Sequence, residues 1–232
     1  RAIALLIRNH FRYDSKFRMN VLGILPLFIF YVFLAFQQGG IPNPFQVKEP
    51  FIGVTKMFVY MAYFMFPVML KTNLVYSESW EASWIFMTTP THYRKAIAAA
   101  RHFIMAYFVL PFTAFSAVIF FGAITNPLLI LLHLVVLFLL AWLNLQMVDL
   151  LQPGLPFSQE HRKGAQSSAM ILLMLIAPLF AFLGLPLLFY FIYSNLWILC
   201  VFLVGLIASI AAMEALLHVR LKRYNRPVYS GL

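Results

Sequence analysis

Residues 127–148 read PLLILLHLVVLFLLAWLNLQMV, twenty-two positions without a formal charge, opened by Asn126-Pro127 and closed before Asp149. A helix needs about 20 mostly apolar residues to cross a hydrocarbon core. A run of this length that is apolar on every side has no polar face to turn toward water. Five more stretches have the same character: Met19 to Phe36, Phe51 to Leu70, Phe103 to Ala123, Ala169 to Tyr193 and Leu196 to Leu217. Strands of a closed barrel would be about ten residues of strict alternation, and these runs do not alternate. The expected fold is therefore an all-α integral membrane protein with six transmembrane helices. Composition points the same way. Of 232 residues, 63% are apolar, 17% are aromatic and 10% are charged, against roughly a quarter charged in a soluble domain. Disorder, a collagen-like repeat and a disulfide scaffold are excluded.

Net charge is +10. In a soluble chain that excess would suggest a nucleic-acid surface, but here its distribution describes topology, and no nucleic-acid partner is expected. Fifteen of the 17 basic residues fall before the first span, between spans two and three, between four and five, or after the sixth; only Lys48 and Lys56 fall on the other side. By the positive-inside rule both termini are cytoplasmic. The setting expected is a bacterial inner (cell) membrane. The chain divides into an interfacial elbow helix (1–18), a six-helix transmembrane domain (19–217) and a basic cytoplasmic tail (218–232). It opens with Arg1, which reads as a start inside a longer gene product or after processing. In the elbow, Ile3, Ile7 and Phe11 repeat every four residues beside the basic stripe Arg8, Arg12 and Lys16. Such a helix lies in the interface, with arginines at lipid headgroups.

Chemistry is sparse. No phosphate-binding loop, dinucleotide fingerprint or paired metal-binding histidines occur, so ATP hydrolysis within this chain, cofactors and metals are not expected. The lone Cys200 reads as a small hydrophobe. Lys56 can snorkel to the outer surface. Glu214 and His218 stand four apart and can share a hydrogen bond. His133, inside the fourth span, reads as a hydrogen-bonding residue between helices, with haem or metal ligation the lesser alternative. Gly205 and Ser209, with Ala208 and Ala212, give the last span a small-residue face suited to helix packing.

The cytoplasmic stretch 76–96, YSESWEASWIFMTTPTHYRKA, carries more. Ser77 or Ser79 can cap a short helix with Glu78 and Glu81 in its first turn. Trp80, Trp84 and Met87 form one apolar face, and Thr88-Thr89-Pro90 ends it. A second helix from Thr91 should run into span three. The amphipathic segment suits docking into a partner's groove or anchoring of its tryptophans in headgroups.

With its elbow, six spans, inward termini and this loop, the chain resembles permease subunits of the second type of ATP-binding-cassette exporters. In that family a coupling region carries glutamate, an apolar turn, threonine-proline and a basic residue entering span three. Glu78 or Glu81, Trp84-Ile85, Thr89-Pro90, Arg94 and Arg101 stand in those places. The resemblance implies a non-enzymatic permease that works with a separate ATPase subunit and a second permease copy or related half. Glu78, Trp80, Glu81, Trp84, Thr89, Pro90 and Arg94 would contact the ATPase, and the substrate would be lipophilic or amphiphilic. The two re-entrant helices that the family commonly places between spans five and six find almost no room at Ser194-Asn195. Pro178, Gly184 and Pro186 either break span five into such a device or are absorbed in one long helix. The alternative function is a non-catalytic structural subunit of a larger membrane assembly, such as an energy-converting complex.

Overall fold

The computed structural model describes residues 2–13, 15–37, 40–47, 49, 54–77, 80–81, 93–160 and 179–222. Nearly all of this is helix. In chain order the helices are α1 (Ala2–Tyr13), α2 (Ser15–Leu22), α3 (Ile24–Gln37), α4 (Phe58–Val75), α5 (Tyr93–Phe120), α6 (Pro127–Leu151), α7 (Phe180–Ile192) and α8 (Leu196–Lys222). Four of them, α4, α5, α6 and α8, are long and apolar enough to cross a membrane. The first expected span is divided: α2 ends at a turn on Gly23, and α3 restarts with Pro26 in its first turn, where a missing N–H costs nothing. The second expected span runs past Leu70 to Val75 and so takes in Lys71. The helix of the third expected span begins ten residues before the apolar run, at Tyr93, because Tyr93–Ile104 is itself an amphipathic helix that buries Ala96, Ile97, Ala100 and Arg101. Of the expected span at 169–193 only the part from 179 lies among the described residues.

Two helices share one irregularity. In α5 a π-helical turn covers Met105–Val109 and Pro111 follows; in α7 one covers Phe180–Gly184 and Pro186 follows. The N–H of Leu110 donates to the carbonyl of Met105, and that of Leu185 to Phe180. Proline lacks an N–H and its ring collides with the carbonyl four residues back. Widening the preceding turn relieves the clash and keeps the neighbouring backbone groups bonded, as an apolar setting demands. Among the described residues Gly184 and Pro186 thus lie within one continuous helix, Phe180–Ile192. Gly184 also lies against the Phe180 ring, 2.5 Å from where a Cβ would stand.

Helix α6 is the axle of the bundle, packing against α4, α5 and α8. Asn126 caps its start by accepting from the Leu128 N–H, with Pro127 in the first turn. Its ridge His133, Leu137, Ala141, Leu145 and Asp149 is buried along its whole length, each step of four residues advancing about 40° around the helix, so that the stripe winds from one packed neighbour to the next. The core around it is rich in aromatics, including Tyr60, Tyr63, Phe64, Phe112, Phe120 and Phe189. By contrast α8 turns most of its surface outward, including Trp197, Val201, Val204 and Val219.

Candidate functional site

The helices alternate in direction, so the last turns of α4, α6 and α8 and the first turns of α5 meet at one end of the bundle. Each contributes a charged side chain there. Lys71 of α4 and Arg101 of α5 both reach Asp149 of α6: Lys71 Nζ stands 2.8 Å from Oδ1, and Arg101 Nη1 donates to Oδ2 at 3.0 Å. The other terminal nitrogen of Arg101 donates to Glu214 of α8. Gln146, one turn before Asp149, donates to Glu214 at 3.0 Å. Asp149 is fully buried and the Lys71 and Arg101 side chains are at most 2% exposed, whereas the Glu214 side chain is 49% exposed. Two cations face two carboxylates, so the formal charges cancel. Four helices are pinned by one group of side chains, and Asp149 sits between both buried cations.

A clasp covers this end. After α6 the chain crosses the end of α4, where Phe157 N–H donates to the Leu74 carbonyl and Ser158 N–H to that of Val75. It then pairs Gln159–Glu160 (β2) in parallel with Tyr76–Ser77 (β1). Gly154 lies so near Val75 that a Cβ would stand 2.8 Å from both its methyls. From α5 the Tyr93 hydroxyl donates to the Pro153 carbonyl at 2.8 Å. The stretch that follows α6 therefore holds both bases of the stretch that contains residues 78–92.

The structure places the expected contact residues unevenly. Trp80 and Glu81 are exposed next to β1, and Arg94 is half-buried in the first turn of α5. Glu78, Trp84, Thr89 and Pro90 lie outside the described residues, as do the tail from 223 and the first part of span five. Arg8 and Arg12 are exposed on α1; Lys16 belongs to α2. The Glu214–His218 pairing is replaced. Glu214 turns inward to Arg101 and Gln146, and His218 is exposed. At the opposite end, His133 is fully buried and its Nδ1 lies 2.9 Å from the Tyr193 hydroxyl. Rings of Tyr60, Phe120 and Phe189 close around it at centroid distances of 5.6, 4.8 and 5.7 Å. That packing ties α6 to the turn between α7 and α8. Among the described residues no three His, Cys, Asp or Glu side chains group to hold a metal.

The partnership of Asp149, Lys71 and Arg101 is not written in any local pattern of the sequence. Two signals of burial were available. Asp149 continues the fourfold ridge from His133, and Arg101 falls on the face of α5 that carries Ile97 and Ile104. A charge on a buried ridge requires a counter-charge on a neighbouring helix. No family model, curated protein or solved structure matches the chain.

Proposed function

We propose that the chain is the transmembrane permease subunit of an ATP-driven exporter, coupled to a separate ATPase through the segment 76–101. The observation that supports it is the charged cluster at the roots of that segment. The two helices flanking residues 78–92 are α4 and α5, and each delivers a buried cation to Asp149. A push on the segment would be felt at Lys71 and Arg101 together, carried to α6 through Asp149, and carried to α8 through Glu214. Ion pairs desolvated in this way have few alternative geometries, so the four helices would move as a unit. Nucleotide-driven closure of an ATPase against Glu78, Trp80, Glu81, Trp84, Thr89, Pro90 and Arg94 would then rock the bundle.

In this reading the chain has six spans with both termini cytoplasmic, in a bacterial inner membrane, and α1 lies in the interface with Arg8, Arg12 and Lys16 at headgroups. A second permease copy or related half completes the pathway, and the substrate is lipophilic or amphiphilic. The outward face of α8 favours a second reading, a structural subunit of a larger membrane assembly, because a peripheral apolar helix offers surface to neighbours. Purification of the native complex separates the two. An exporter contains a nucleotide-binding subunit, and Trp84→Ala uncouples its ATP hydrolysis from transport without loss of membrane insertion. Truncating a desolvated tryptophan commonly costs about 2 kcal/mol or more at an interface. A complex without any nucleotide-binding subunit refutes the exporter reading.

A further inference from the structure

The charges of the first two helices are not accounted for by the cluster or by the segment 76–101. Arg8 and Arg12 stand one turn apart on α1, exposed, with Asn9 beside them, while Ile7 is buried against the bundle. Like charges at this spacing repel and weaken a helix. After Tyr13 the chain starts α2, and Arg18 of α2 comes to face the same concavity. A cavity of about 420 Å³ results, lined by Leu5, Arg8, Asn9, Arg12 and Arg18. The Arg12 guanidinium lies 5.6 Å from the Tyr13 ring centre. Asp14 is the only carboxylate in the first 48 residues, and among the described residues none of the three arginines pairs with one. Three arginines and one amide side chain thus line one hollow, and Asp14 lies outside the described residues.

We infer that the hollow between α1 and α2 binds a phosphate group, held by Arg8, Arg12 and Arg18 with Asn9 as a fourth donor. Guanidinium forks match the paired oxygens of a phosphate. Leu5 supplies an apolar wall at one edge, which suits a phosphate that carries an acyl chain. A phospholipid headgroup and a free phosphate present the same chemistry to these donors, and the experiment separates them. The lipid case rests on the reading that α1 lies against the membrane; neither case needs an ATPase.

The full chain is purified in a non-ionic detergent and loaded with mixed phosphatidylcholine and phosphatidylglycerol, and native mass spectrometry counts the lipids retained. Calorimetric titration with inorganic phosphate probes the free anion. Retention of phosphatidylglycerol over phosphatidylcholine, falling about fivefold in Arg18→Gln and also in Asn9→Leu, supports the site with a lipid as its source. Calorimetric phosphate binding that both variants abolish supports it with a free anion as its source. Arg220→Gln, which removes an exposed cation from α8, should change neither. All three residues are exposed, so folding is preserved, and an unchanged unfolding temperature checks it. The proposal is overturned if neither probe binds, if Asn9→Leu has no effect, or if Arg220→Gln lowers binding as much as Arg18→Gln. The last two outcomes would mean diffuse attraction to a basic surface. Loss of the phosphate site leaves the ATPase question untouched, and absence of an ATPase leaves this site standing.

Discussion

Replacing Asp149 by asparagine tests the charged cluster most directly. At 2.8 and 3.0 Å, with an effective dielectric of about 20, each contact has a gross attraction of about 6 kcal/mol. Desolvation of the ions offsets most of that, so the intact cluster adds little net stability. Removing the carboxylate alone changes the balance, because Lys71 and Arg101 remain at most 2% exposed. Arg101 keeps Glu214, whereas Lys71 loses the only carboxylate described beside it. The expected cost is about 3–5 kcal/mol, the typical penalty for orphaning a buried charge. The double variant Lys71→Met with Asp149→Asn removes the orphan and should recover about 2 kcal/mol or more of that loss. Reversible unfolding in mixed micelles, followed by tryptophan fluorescence, gives both differences. If Asp149→Asn lies within about 0.5 kcal/mol of the parent, as a surface change would, or if the double variant is no more stable than the single, the cluster does not hold the four helices together.

Other perturbations follow from the same geometry. Gly154→Ala should cost about 1–3 kcal/mol by overpacking against Val75, and Val75→Ala should restore most of it; thermal unfolding of the single and double variants checks this. His133→Phe leaves the buried Tyr193 hydroxyl without its partner, at about 1–3 kcal/mol, and adding Tyr193→Phe should recover part of the loss. With Cys200 replaced by alanine, a cysteine at Gly40 should react with an impermeant thiol reagent added outside intact cells. Labelling only after permeabilisation would reverse the proposed orientation.

That several helices are long and apolar enough to cross a membrane is legible in local sequence, although the first expected span divides at Gly23. Runs such as 127–148 are apolar around the whole circumference, and that property is local. The Asn126-Pro127 start is local too, since a cap and its helix are neighbours in sequence. The extension of the third span back to Tyr93 was likewise legible in an amphipathic repeat with few breakers. The partners of the charges were not. Glu214 and His218 satisfy an i, i+4 rule that holds for an isolated helix. In the folded chain Glu214 instead meets Arg101, 113 positions away, because Arg101 is buried and an unpaired buried guanidinium costs more than an exposed histidine without a partner. Asp149 looked like the end of a span and proved to be the hub of four helices. Which buried charge meets which depends on the directions and depths at which helices pack. Only the tertiary structure decides that, because the energy at stake is desolvation, and no side chain is desolvated until its neighbours from distant parts of the chain arrive.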